Sequence, residues 1–468
     1  MQLTQDCTKK FKELFKELAR VHELCVKDLK GYLNSREGSE RLLFSILAPE
    51  DMQLEMRTKL RNGAPCVYQL SRSRCSNDIA HEISREVHKH NHLQCLPHEL
   101  ISLIEDIVYE VINSDLDGFT RNIINKEECY NLQPSLLKSV ATRRLKSFKK
   151  RFTEHVFQFP VTIFNLGDEI LLISKNIQLL PLGSLTLNDK QLASFEMTRV
   201  FSCNDYLEVS ISNRCSDLLA RQLAEKARDA VFNILKLLAT RLSPNAIPLL
   251  GSNENHRHYF DFHMHGKDRS QVYLSSVIDF ASFKSDSKMF WKSFHEGRKE
   301  DKNIIDIAFK IPQLLLHPNF FKPQVVSVLE RSLIWYGDAV SETNYCLQIQ
   351  KLVSSLEALV NFNDGDVVKN FKDRVCFLNI THGGLDMEIK EKAGMLYKVR
   401  SNIVHGSSLE ETLSFDVVAF CCETLSRAIF YFSLFGLEKT GFSKTLPAFI
   451  DDLPNLAICT PNTDSKLD

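Results

Sequence analysis

From Lys310 to Leu437 the strand signals of the chain vanish and its apolar residues recur at helical spacing, which restricts this part to helices packed on one another. Val326, Leu329, Leu333, Tyr336 and Val340 mark one helix, and Ile349, Leu352, Leu356 and Leu359 a second. Val367, Phe371, Val375 and Leu378 mark a third; Ile389, Ala393, Leu396, Val399 and Ile403 a fourth; Val418, Cys422, Leu425, Ile429 and Phe432 a fifth. Stripes of this kind are buried only against one another, so the expected product is a helical bundle.

Three charged residues interrupt the stripes. Glu357 lies four after Val353, Arg374 three after Phe371, and Arg400 four after Leu396. A charge pointed at a core must be paired, because an orphan costs several kcal/mol. One Glu and two Arg are expected to form a partly buried network that leaves a positive remainder to meet an anion.

The fourth helix ends in Leu396-Tyr397-Lys398-Val399-Arg400-Ser401-Asn402-Ile403-Val404-His405-Gly406, where Gly406 supplies a left-handed cap. Arg400 and His405 diverge by roughly 140° on an ideal helix, a gap that a long Arg and a loosened last turn can bridge. A guanidinium fork holds phosphate oxygens at any physiological pH, and an imidazole moves a proton near neutrality without a metal. The plainer alternative is that both residues offset the negative end of a helix dipole, for about 0.3–1 kcal/mol each.

The 468 residues are enough for two or three domains, and a net charge of −1 excludes a generally basic coat. Any nucleic acid must therefore be gripped locally. Thirteen cysteines without CxxC pairs read as reduced, mostly buried thiols of a cytoplasmic protein. The N-terminus lacks the basic and apolar regions of a leader. Val417 to Leu437 is broken by Glu423 and Arg427, so it reads as a core helix and no membrane contact is expected.

Before Lys310 the pattern is mixed. Phe11, Leu14, Phe15, Leu18, Cys25 and Leu29 give an amphipathic opening helix, Arg61 to Asp78 a loop, and Pro97 to Asn113 a second helix. His81, His88, His90, His92, Cys95 and His98 between them invite a metal reading, but without paired cysteines or HExxH a solvated run is simpler and no metal is assigned. Pro134 to His155 reads as a helix bearing Lys138, Arg143, Arg144, Lys146, Lys149, Lys150 and Arg151 with no acidic residue in the run. This is either a solvated face or a phosphate-backbone track for RNA, carried by Arg143, Arg144, Lys146, Lys149, Lys150 and Arg151.

Phe157 to Leu166, Glu169 to Leu180 and Tyr206 to Ser212 then read as strands of one antiparallel sheet, followed by a helix from Ser216 to Leu242 with Leu219, Leu223, Val231, Leu235 and Leu238 inward. Tyr259 to Met264 and Val272 to Phe280 suggest a hairpin whose Tyr259, Asp261, His263 and His265 share a face, read as an exposed polar face over buried Phe260, Phe262 and Met264 rather than a metal or acid–base site. The fold class is α+β: a mixed N-terminal region over 1–303 (helical 1–155, strand-rich 156–285), with Lys284 to Asn303 as its boundary, a helical bundle over 304–440, and a polar tail over 441–468.

The Arg400 to His405 stretch, with Ser355-Leu356-Glu357-Ala358-Leu359 and Phe371-Lys372-Asp373-Arg374 upstream, resembles the ApeA-like branch of the HEPN domains over roughly Lys310 to Leu437. HEPN proteins are helical bundles, many of them metal-independent endoribonucleases marked by an arginine followed after four to six residues by histidine. Many nuclease members carry Asn, Asp or His directly after the arginine, where this chain has Ser401 and then Asn402. The resemblance implies an antiphage or abortive-infection RNase that acts on RNA, tRNA among the candidates, as a homodimer without a cofactor. It makes Arg400 and His405 catalytic, with Tyr397, Asn402, Glu357 and Arg374 in support. A non-catalytic HEPN module that binds nucleotide, RNA or protein under control of the N-terminal region stays open, as does an inert dimerisation bundle beneath an N-terminal enzyme.

Overall fold

A computed structural model describes residues 3–33, 38–47, 67–115, 133–161, 170–181, 184, 205–242, 248–250, 259–265, 271–277, 281–283, 292, 294–296, 302–316, 322–381, 384–406, 413–437 and 445–459, for some of them only the backbone course. The elements run α1 (Gln5–Leu33), β1 (Gly38–Leu47), β2 (Val67–Ser73), α2 (Arg74–Asn91), α3 (Glu99–Ser114), α4 (Pro134–Lys150), β3 (Thr153–Val161), β4 (Leu171–Ser174), β5 (Ile177–Pro181), β6 (Asp205–Cys215) and α5 (Asp217–Leu242). There follow β7 (Pro248–Leu250), β8 (Tyr259–His265), β9 (Gln271–Val277), β10 (Ala281–Phe283), α6 (Lys302–Ala308), α7 (Lys310–Leu316), α8 (Pro323–Val340), α9 (Tyr345–Val360), α10 (Val367–Leu378), α11 (Met387–Val404), α12 (Val417–Leu437) and α13 (Leu446–Cys459). The fold is α+β, mostly helical, with antiparallel strand pairing.

The chain divides into two compact units: residues 1–153 with 213–220, and residues 154–212 with 221–468. The division does not follow a border near residue 303, because the sheet strands group with the C-terminal helices. The stretch 284–291 of the expected linker lies outside the described residues.

In the first unit, Phe11, Leu14, Phe15 and Leu18 of α1 meet Ile83 and Val87 of α2, Leu100, Ile104, Val108 and Val111 of α3, and Leu137 and Leu145 of α4 in one core. The loop expected over 61–78 is corrected: its last part is strand β2 and the start of α2, and residues 61–66 lie outside the described residues. The Ser-Arg-Ser-Arg run ends a strand and starts a helix. Ser73 Oγ accepts from Ser76 N–H at 3.0 Å, and Ser76 Oγ accepts from Ser73 N–H at 2.9 Å, a reciprocal cap. The basic helix α4 stops at Lys150, not His155, which is buried in β3.

In the second unit a six-stranded sheet has the order β4-β5-β6-β3-β8-β9. The stretch expected as one strand from Glu169 to Leu180 instead folds back at Lys175-Asn176 into antiparallel β4 and β5. The expected hairpin is present as β8 and β9, with Tyr259 opposite Val277 and His265 opposite Gln271; the side chains of its polar face lie outside the described residues. On α5 the buried stripe of the first half consists of Ala220, Ala224 and Ala227 rather than Leu219 and Leu223, which are half-buried. Val231, Leu235 and Leu238 are buried as expected.

Helix α5 meets α8 closely. A Cβ on Gly337 would collide with the Asn233 amide, so a larger residue there requires that buried side chain to move. The fully buried Lys236 donates from Nζ to Gly337 O at 2.8 Å.

The five helices read from the sequence all form, as α8 to α12, and α9 lies among them, touching α8, α10, α11 and α12. Ile349, Leu352, Val353, Leu356, Leu359 and Val360 of α9 are fully buried. Val417–Gly436 of α12 is apolar and long enough to cross a membrane, yet 56% of it is buried inside the protein, including Cys421, Leu425, Ile429 and Phe432. The polar tail expected over 441–468 is corrected as well. Leu446, Phe449, Ile450 and Leu453 are buried on α13, which packs on α10. Cys7, Cys95, Cys215, Cys376, Cys421 and Cys422 are buried free thiols.

Candidate active site

Helix α11 is started by Asp386, whose carboxylate accepts from Glu388 N–H at 2.9 Å, and Ala393, Leu396 and Val399 bury its inner face. Its last turn tightens: Gly406 N–H bonds Ile403 O at 3.2 Å, and Gly406 takes φ +68°. The left-handed cap read from the sequence is therefore present. It places His405 at the C-cap, exposed, with no hydrogen bond or ion pair to its ring among the described residues.

Arg400 sits five residues earlier, about 7.5 Å along the axis, and is half-buried. Its Nη2 lies 3.7 Å from Glu357 Oε2 of α9, and its guanidinium carbon lies 6.0 Å from the centre of the Tyr397 ring. No hydrogen bond engages its five N–H donors among the described residues. Tyr397 is anchored by Phe371 of α10, with ring centres 4.9 Å apart. Burial, and then the neighbouring Glu357 carboxylate, push its phenol above the usual range, so it stays a donor. Asn402 is half-buried between the two candidate residues.

The expected network of Glu357, Arg374 and Arg400 does not form. Arg374 is buried and gives Nη2 to Asp364 Oδ2 at 2.5 Å, Nε to Asp451 Oδ1 at 2.8 Å, and Nη1 to Val360 O at 2.8 Å. Burial works against its charge, but the hydrogen bonds to Asp451 and Asp364 more than offset this and hold it firmly protonated. Arg374 thus fastens α10 to the α9–α10 turn and to α13, and takes no part beside Arg400. With two carboxylates on Arg374 and one on Arg400, no positive remainder is left. Whatever availability Arg400 has comes from the looseness of its single ion pair.

A surface groove of about 390 Å³ runs beside Glu357, lined among others by Arg331 and Trp335 of α8, Asn361 at the end of α9, Asn363, and Asn370 of α10. Sequence reasoning missed it. The available signal was Trp335, a large aromatic one residue out of step with the stripe of Leu329, Leu333 and Tyr336.

The basic run on α4 is only partly free. Arg143 and Arg144 both pair with Glu110 of α3, and Arg144 also lies 4.0 Å from Asp106, so the neutralising carboxylates come from the neighbouring helix rather than from the run itself. Lys146, Lys149, Lys150 and Arg151 are exposed, with no ion pair among the described residues.

The histidine cluster serves α2 and its exit. His88 Nε2 lies 2.9 Å from Cys95 O, and His92 takes the left-handed conformation that closes the helix. Burial, aided by Glu99, pushes the Cys95 thiol up to about 12, which removes its thiolate near neutrality. Among the described residues no group of three or more His, Cys, Asp or Glu is placed to hold a metal.

No family model matches the chain, and neither a curated protein nor a solved structure matches it.

Proposed function

We propose that the chain is a HEPN-type endoribonuclease that cleaves RNA by attack of a 2′-hydroxyl on the adjacent phosphorus, with Arg400 and His405 as its catalytic residues. The observation that carries this reading is the contrast between the two buried-stripe arginines. Arg374 uses its donors on protein, whereas Arg400 makes no hydrogen bond among the described residues and stands five residues before the exposed His405 at the same helix end.

In this mechanism His405 takes the 2′-hydroxyl proton as the oxygen bonds to phosphorus, and the bond from phosphorus to the 5′-oxygen breaks. The products are a 2′,3′-cyclic phosphate and a 5′-hydroxyl strand, and the 5′-oxygen takes its proton from an acid. Arg400 neutralises the charge that grows on the phosphorane, the contribution that is usually largest. Acid–base help from the imidazole is typically worth about 10²–10⁴ in rate. One imidazole cannot act as base and acid in the same step, so a homodimer bringing together two Arg400 and His405 sets supplies the second. Glu357 holds the guanidinium until a phosphate displaces its carboxylate, and Tyr397 keeps its place beside Arg400 throughout.

The Glu357 pair also favours a second reading, a non-catalytic module that binds nucleotide or RNA, because the carboxylate already occupies one side of Arg400. Expression of the wild-type chain beside Arg400→Ala and His405→Ala separates the two. Growth arrest with RNA fragments ending in cyclic phosphate, for the wild type alone, is the expected outcome. Identical behaviour of all three would end the nuclease reading and leave the module.

A further inference from the structure

The groove beside Glu357 is unused by the mechanism above, and its residues share a chemistry. Trp335 is 42% exposed, a large indole face left in water, and Arg331 stands one turn before it on the same helix face. Asn361 Oδ1 has no hydrogen-bond partner among the described residues and is itself covered, so it meets a ligand's donor when the part-exposed Asn361 side chain turns into the groove. The Asn370 amide is already committed to Asp364 Oδ1 at 3.2 Å, whereas the buried Asn361 oxygen is without a partner among the described residues. Glu357 lines this groove and also meets Arg400, so a single side chain stands between the groove and the proposed reacting centre. A volume of about 390 Å³ falls within the range of small-ligand sites.

We propose that this groove is a subsite for one unpaired nucleobase of single-stranded RNA, a base carrying an exocyclic amino group, next to the phosphate that meets Arg400. An unpaired base offers a flat π face to Trp335, an amino donor to Asn361 Oδ1, and a flanking phosphate to Arg331. An aliphatic side chain of a peptide would cover the indole but leave the Asn361 acceptor unmet. A duplex has its base faces already stacked and could not use the indole. The inference rests on the nuclease reading only in that Arg400 meets the adjacent phosphate.

The test is fluorescence anisotropy with labelled eight-residue oligo(rA), oligo(rC) and oligo(rU), using the full chain carrying His405→Ala so that strands stay intact. Oligo(rA) and oligo(rC) should bind more tightly than oligo(rU), which has no exocyclic amine. Adding Trp335→Ala should weaken binding about 10- to 100-fold, while Trp335→Phe keeps most of it, and Asn361→Leu should erase the preference over oligo(rU). Unchanged RNA affinity of a folded Trp335→Ala chain overturns the subsite. So does a Trp335→Ala change in sedimentation without a change in RNA affinity, which would make the groove a contact between copies. Absence of cleavage by the His405-intact chain, with Trp335-dependent binding preserved, defeats the nuclease reading and keeps the subsite. Cleavage with an unchanged KM in Trp335→Ala does the reverse.

Discussion

Arg374 Nε donates to Asp451 Oδ1 at 2.8 Å and its Nη2 to Asp451 Oδ2 at 3.0 Å, a two-point clasp between α10 and α13. Asp364 completes it from the other side. The Asp364 and Asp451 carboxylates are 31% and 48% exposed and stay hydrated without the guanidinium, so Arg374→Met should cost about 1–3 kcal/mol, the loss of charge-assisted hydrogen bonds and of the donor to Val360 O. Urea unfolding followed by circular dichroism measures it, and an effect below about 1 kcal/mol would mean that α13 is held by its apolar face alone.

The same clasp has a pH signature. The hydrogen bond from Arg374 holds the Asp364 carboxyl below its ordinary value of 3.8. A depressed carboxylate stabilises the fold above that ordinary value and stops doing so as pH falls through the folded one. Stability should therefore decline below about pH 4, and Asp364→Asn should flatten that part of the profile. Thermal unfolding scanned from neutral to acid pH tests this.

Lys236 behaves in the opposite sense. Burial pushes its ammonium down to about 8 from an ordinary 10.5. Between those values the folded chain has released a proton that the unfolded chain still holds, so stability should rise with pH across that window, by up to about 3 kcal/mol from this group. Gly337 O also accepts from Ser341 Oγ at 3.1 Å and so keeps a partner without the lysine. Lys236→Met should leave the protein as stable or more stable near pH 7 and remove the alkaline rise.

Arg400→Ala should leave the melting temperature within experimental error, since a part-exposed pair at 3.7 Å contributes about 0–1 kcal/mol. RNA cleavage should fall by about 10²-fold or more. Glu357→Gln should do something different. It removes the anion that competes with phosphate, and so should tighten binding of a non-cleavable RNA analogue, measured by titration calorimetry. Weaker binding in this variant would show that the carboxylate positions the guanidinium more than it screens it.

On α4 the two halves of the basic run should separate. Replacing Lys146, Lys149 and Lys150 together by Ala should lower the salt slope of RNA binding by up to about 0.7 for each phosphate that is no longer neutralised. Arg143→Ala, which disturbs a bond to Glu110, should alter stability more than affinity. Filter binding across a salt series distinguishes them.

Periodicity carried most of the helical region because each of α8 to α12 buries most of its stripe, which is what spacing records, although Val367 is exposed and Ile389, Ile403 and Val418 are only half-buried. Gly406 was legible for a similar reason, since a local backbone need has a local sequence answer. The partners of charged residues were not. Arg374 finds Asp451, 77 residues away, and Arg143 finds Glu110 on another helix, pairings that no spacing within a run encodes. The tail was misread because Pro454 and two aspartates hide the buried Phe449, Ile450 and Leu453 of α13. On α5 the alanines were passed over for neighbouring leucines, because spacing weighs the larger side chain more heavily although Ala220, Ala224 and Ala227 are the buried ones.

The tight crossing at Gly337 reaches further than its own packing. Asn233 and Lys236 belong to the helix whose Arg228 lies 5.0 Å over Phe159 of the central sheet, and Trp335 precedes Gly337 by two residues. The helix that carries the indole wall is thus tied to the strands through α5 as well as to the bundle. A side chain at position 337 would have to displace Asn233, and so would disturb the turn of α8 that carries the indole.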